Sequence, residues 1–95
     1  MTYPAILKPD GQSRRVIVQF PDLPEALTDG RSLGEALREA ADCLEEALSC
    51  RMVLKEEIPP PSKLSRKHYK VDVPLHLAPK VVRYIALRKR QTEGS

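Results

Sequence analysis

The sequence predicts an α+β protein: a three-stranded antiparallel meander plus a fourth strand, with one long helix packed across the sheet (β-β-β-α-β) and a basic helix after it. Three observations carry this. Arg15 to Phe20 alternates Val16, Val18 and Phe20 with Ile17 and Gln19, the period of a strand in strongly β-forming residues. Ser32 to about Leu54 repeats Leu33, Leu37, Ala40, Leu44, Ala47 and Leu48 at steps of three and four, one stripe of an amphipathic helix. Tyr69 to Leu75 then alternates again, with Tyr69, Val71 and Val73 on one side and Lys70 and Asp72 on the other. Consecutive strands followed by a helix favour a meander covered on one face.

Each element has local reasons. Tyr3 to Lys8 reads as the first strand, with Tyr3, Ala5 and Leu7 on one face and Pro4 and Ile6 on the other; Pro4 suits a strand start or an edge. Asp10-Gly11 marks a turn. Pro21-Asp22-Leu23-Pro24 stops the second strand, because each proline lacks a ladder donor. Glu25 to Asp29 is a short, weak third strand, and Gly30 a hinge into the helix. Ser32 and Glu35 form a Ser-x-x-Glu capping box at the helix start. Pro59-Pro60-Pro61-Ser62 makes an extended link, Pro74 ends the fourth strand, and Leu77 to Arg90 has helical spacing through Leu77, Val81, Tyr84, Ile85 and Arg88. The organisation is a core over residues 1–62, a basic linker and fourth strand over 63–75, and a further helix over 76–95.

Ninety-five residues make one domain with room for a small appendage. Only Phe20, Tyr3, Tyr69 and Tyr84 are aromatic, so the core must be aliphatic. No apolar run approaches the roughly 18 residues of a membrane span and no secretory signal opens the chain, so a cytoplasmic location is expected. Cys43 and Cys50 stand two helical turns apart, too far for a disulfide within one helix, and read as reduced thiols. The net charge of +3 divides unevenly. Residues 1–62 carry 7 Lys/Arg and 11 Asp/Glu (−4), whereas residues 63–95 carry 9 and 2 (+7). Two surfaces of opposite sign suit two different partners.

No catalytic constellation stands out, and no enzyme activity, metal or cofactor is expected. His68 and His76 lie in or beside the basic segment, where their neighbours form no plausible catalytic pairing with a nucleophile or carboxylate, and they read as solvated or structural. Asp10, Asp22 and Asp29 are candidate metal ligands, but each falls in a predicted turn, and the first strand carries no acid. The one nucleic-acid signal is the basic C-terminal part: Lys80, Arg83, Arg88, Lys89 and Arg90 are the candidate phosphate contacts, joined by Lys63, Arg66, Lys67 and Lys70.

Four stretches together form a recognisable set: Tyr3-Pro4-Ala5-Ile6, Val18-Gln19-Phe20-Pro21-Asp22-Leu23-Pro24, Thr28-Asp29-Gly30-Arg31-Ser32-Leu33-Gly34-Glu35-Ala36-Leu37, and Ile58-Pro59-Pro60-Pro61-Ser62. In this order they resemble the HicB family of antitoxins, with Glu25 standing where that family usually has glycine. The resemblance implies a partial RNase H-like fold without nuclease activity. It also implies a small HicA-like ribonuclease toxin as partner, and operator DNA bound through a C-terminal helix-turn-helix or ribbon-helix-helix domain. Residues 76–95 hold one helix of such a domain, so operator binding is expected only of a longer chain. Two readings stand beside the antitoxin: a free-standing nucleic-acid binder using the basic tail, and an RNase H-like nuclease. For the toxin contact, the turn residues Asp22, Leu23, Glu25 and Asp29 are the candidates. Leu23 is taken as an apolar anchor with little local core to enter, and the acids as partners of basic groups. A homodimer or larger assembly is expected through the C-terminal helix, whose stripe of Leu77, Val81, Tyr84 and Ile85 has no covering helix in the sequence, or through a sheet edge.

Overall fold

The computed structural model describes residues 1–93. Its elements are β1 (Thr2–Pro9), β2 (Val16–Phe20), β3 (Leu23–Gly30), α1 (Leu33–Val53), β4 (Tyr69–Asp72) and α2 (Ala78–Glu93). The four strands form one sheet in the order β3-β2-β1-β4, every neighbouring pair antiparallel. The α+β class and the order of elements agree with the sequence reading. The register sets two rows. Leu7, Val18 and Thr28 lie side by side on the face that α1 covers, and Ile6, Gln19 and Leu27 lie side by side on the face that it leaves open.

The core lies between α1 and the sheet: Tyr3, Ala5, Val18, Phe20, Leu23, Ala26 and Val71 from the strands meet Ala36, Ala40, Leu44, Ala47 and Leu48 from α1. The helix stripe is therefore turned slightly from the expected one. Leu33 is 46% exposed and Leu37 half-buried, while Ala36 is fully buried. An alanine is what the site demands, because α1 starts hard against the end of β3. A Cβ added at Gly30 would sit 2.4 Å from the Ala36 nitrogen, so only glycine lets the strand pass under the helix at that distance. The cap forms as expected at Ser32, whose hydroxyl accepts from the Glu35 N–H at 3.1 Å. Glu35 closes the box one residue further back, accepting from the Arg31 N–H at 3.0 Å.

Two strands differ from expectation. β3 is longer, beginning at Leu23 and running eight residues through Pro24. It is an edge strand, and an edge tolerates a missing N–H on its outer side. The ladder slips between Gln19 and Phe20, so that Phe20 faces Leu23. β4 is shorter and stops at Asp72, although the Val73 N–H still pairs with the Met1 carbonyl at 2.9 Å.

The expected open stripe on the last helix is corrected. Leu77 and Val81 are buried in the main core, and Tyr84 and Ile85 pack against it. What covers them is the C-terminal half of α1 with the segment after it. His76 meets Glu45 of α1 at 2.9 Å, the Tyr84 hydroxyl donates to the Glu56 carbonyl at 2.6 Å, and Arg88 donates to the Lys55 carbonyl at 2.9 Å. Of the last segment, Gly94 and Ser95 lie outside the described residues.

Candidate functional site

Stretches far apart in sequence converge at one end of the sheet. The β2–β3 turn, the start of β1, the last turns of α1 and the proline-rich exit all meet there. The Asp22 carboxylate accepts from the Ser62 N–H at 2.9 Å and also from the Ser62 hydroxyl. The Tyr3 hydroxyl donates to the Pro59 carbonyl at 2.8 Å. Arg51 of α1 forms a two-bond fork with Glu25 of β3, at 2.5 and 2.8 Å, and its remaining nitrogen donates to the Glu57 carbonyl at 2.5 Å. Ile58, between these partners, is buried. The proline link is therefore a packed strap rather than a free spacer.

The electrostatics follow the contacts. Burial, with the Asp22 carboxylate adding to it and Arg51 opposing, pushes the Tyr3 hydroxyl up to about 12, so it remains a donor. The Arg51 guanidinium holds the Glu25 carboxyl below its ordinary value. Arg15 does the same to Asp29 through bonds of 2.6 and 3.3 Å. Burial raises the Cys43 thiol, so it stays protonated; both cysteines are free.

The proposed toxin-contact residues separate into two kinds. Leu23 is corrected: it is 0% exposed and belongs to the core. The slip at Gln19/Phe20 turns it onto the α1 side, so it cannot anchor a partner from the surface. Asp22 is half-buried and fastened to Ser62, whereas Glu25 lies exposed at the β3 edge beside Arg51. The residue that stands out in Leu23's place is Leu27, 60% exposed at the centre of β3 on the open face, with Ile6 and Ile17 half-exposed nearby. Its signal was in the sequence, as the one apolar side chain two residues from both Glu25 and Asp29. Arg51 carried no such signal, since its partner Glu25 lies 26 positions away.

Asp10, Asp22 and Asp29 do not gather. Asp10 closes its own loop through Gln12 and Ser13, and the others bind Ser62 and Arg15. Among the described residues no three of His, Cys, Asp and Glu are placed to hold a metal ion. No described helix is long and apolar enough to cross a membrane. On α2, Lys80, Arg83, Lys89 and Arg90 are exposed, while Arg88 is turned inward, bonded to Lys55 and stacked over the Tyr84 ring at 5.7 Å. Lys89 and Arg88 also wall a cleft of about 370 Å³ with Ile58, Pro60 and Ile85.

These contacts define a small α+β protein whose turn carboxylates brace its own fold around an open strand edge. The sequence over residues 2–82 matches the family described as "HicB_like antitoxin of bacterial toxin-antitoxin system", and the chain belongs to that family. It is 39% identical over 82 residues to Antitoxin HicB of Escherichia coli, covering 86% of this chain and 59% of that protein. It is 42% identical over 82 residues to Antitoxin HicB 1 of Photorhabdus laumondii, covering 86% of this chain and 51% of that one. The chain thus spans little more than half the length of these relatives. The fold is also that of the N-terminal domain of the Burkholderia pseudomallei antitoxin HicB, with a TM-score of 0.65 at 17% identity, covering 79% of this chain and 100% of that one.

Proposed function

We propose that this chain is the toxin-binding part of a non-catalytic, cytoplasmic antitoxin that occludes a basic, HicA-like ribonuclease. The observation that carries the reading is the β3 edge. Among the described residues it pairs only with β2, so one side of an eight-residue strand is open, with Leu27 exposed at its centre and Glu25 and Asp29 on either side. A partner strand added there gains main-chain hydrogen bonds, Leu27 supplies apolar contact, and the carboxylates favour a partner with cationic groups. The enzyme reading has less behind it, because the three candidate acids lie apart.

Operator binding belongs to the longer protein in this proposal. It is supported by the length of the relatives and by the exposed Lys80, Arg83, Lys89 and Arg90. Arg88 is left out of that set because it holds α2 to the body. Homodimerisation is also proposed, now through the exposed Leu75, Val82 and Leu87 rather than the buried stripe.

The test is titration of a HicA-like ribonuclease with the wild-type chain and with Leu27→Asp, which leaves the core untouched. Affinity is expected to fall at least tenfold, an interfacial loss of about 1.4 kcal/mol or more, and growth rescue to fail. Wild-type binding by a folded Leu27→Asp chain would move the contact off the β3 edge. Sedimentation of the chain alone as a monomer at about 100 μM would remove all but weak self-association.

A further inference from the structure

Arg51 stands between the contacts that shape the β3 edge and those that hold α2: its guanidinium binds Glu25 and the Glu57 carbonyl, and α2 rests on the backbone carbonyls of the 55–57 segment beside it. Its side chain is only 18% exposed, and all three guanidinium nitrogens donate: two to Glu25 on β3 and one to the Glu57 carbonyl. The chain reverses beside it. Lys55 adopts a left-handed φ of 59°, and the Glu56 N–H returns to the Arg51 carbonyl at 2.8 Å. This reversal aims the Lys55 and Glu56 carbonyls outward, and α2 is fastened to those two groups by Arg88 and Tyr84. The path from Glu25 through Arg51 and the 55–57 reversal to Tyr84 and Arg88 is thus continuous in hydrogen bonds.

We propose that Arg51 is a latch coupling the two ends of the protein: a cationic group that takes Glu25 from Arg51 frees the Glu57 carbonyl and loosens α2. The proposal rests on the reading that the β3 edge is the partner-binding surface. Its physical basis is that a carboxylate serving an incoming cation cannot keep both short bonds to Arg51. A guanidinium that loses its fork keeps a single bond, to the Glu57 carbonyl, in place of three, and that last bond then opens more readily. Occupancy of the edge is in this way converted into the mobility of the basic helix, without any contact between partner and helix.

The experiment is hydrogen exchange on the full chain in the absence of any partner. Glu25→Gln keeps the shape of the side chain and removes the charge that the latch needs. Amide exchange in α2 is expected to quicken by about three- to tenfold, as for loss of a partly exposed charge-assisted pair. Exchange in β1 and β2 is expected to stay at its wild-type rate. Tyr84→Phe should quicken α2 alone, and the double variant should fall short of the product of the two effects, because both act on one network. Unchanged α2 exchange in Glu25→Gln, or full additivity in the double variant, would overturn the latch. Because no partner is present, that failure leaves the edge proposal standing, whereas wild-type toxin binding by Leu27→Asp would remove the partner that works the latch and leave only the internal coupling that exchange reads.

Discussion

The two turn-bearing ends of the sheet are built by opposite means. At the β1–β2 end, Asp10 accepts from the Gln12 N–H at 3.3 Å and from the Ser13 hydroxyl at 2.5 Å, while the Asp10 N–H pairs with the Arg15 carbonyl at 2.7 Å. Every partner lies within five positions. At the β2–β3 end the bracing pairs are Arg51 with Glu25, Ser62 with Asp22, and Tyr3 with Pro59, separated by 26, 40 and 56 positions. The first loop can form as soon as its own residues meet. The second exists only once α1 has docked and the proline strap has returned, so each of its bonds carries the loop-closure cost of the chain between its partners. Mutations at the second end should therefore register as losses of global stability, and those at the first as local loosening.

The largest break is expected from Leu23→Ala. It removes a fully buried side chain between the β2–β3 turn and α1 and should destabilise the protein by about 2–5 kcal/mol in denaturant unfolding. A loss below about 0.5 kcal/mol would return Leu23 to the surface role read from the sequence.

A sharper comparison sets Asp22→Ala against Asp10→Ala, two turn aspartates with two side-chain acceptor bonds each. Asp22→Ala should cost about 1–2 kcal/mol and expose the strap to protease near Ser62. Asp10→Ala should leave the unfolding midpoint close to wild type and the strap protected. Equal effects on unfolding and proteolysis would show that the two ends are held alike.

The smallest effect is on acid stability. Glu25 and Asp29 have folded values held below the ordinary carboxylate range by Arg51 and Arg15. The unfolded state therefore binds their protons first, so their contribution is present above the unfolded value of about 4 to 4.5 and is lost as pH falls through the lower folded value. The sites are exposed, so the effect should be modest and screened by salt. Glu25→Gln should flatten the fall in thermal midpoint below about pH 4.5, and an unaltered pH profile in that variant would mean that the fork contributes nothing there.

Legibility in the sequence followed the range of the interactions. β1, β2, the α1 stripe through Leu44 and Leu48, and the Ser32 cap were readable because their periods and partners are local. β3 was read short because prolines were taken as stops, and the strand's edge position, which removes that penalty, depends on the whole sheet order. Leu23 was misplaced because the register shift at Gln19/Phe20, where Phe20 pairs with Leu23 rather than Ala26, moves β3 by an odd number of residues and so decides which face Leu23 takes. Leu27 was readable in principle, as an apolar residue between two acids on the same strand.

The sequence by itself determined the fold class, the covered face of the sheet and the family, because hydrophobic period and capping chemistry act over a few residues and the motif set is diagnostic in order. Only the tertiary structure decided what the motifs are for. Tyr3, Asp22, Pro59 and Ser62 turned out to brace one another, and Arg51 turned out to join the β3 edge to the 55–57 segment on which α2 rests. The decision also extended to the last helix, where Leu77 and Val81 entered a core that their own segment gave no sign of reaching. The physical reason is common to all of these. A hydrogen bond or a buried contact between residues 26 to 56 positions apart leaves no periodic trace in either segment, and is defined only when packing has brought the two together.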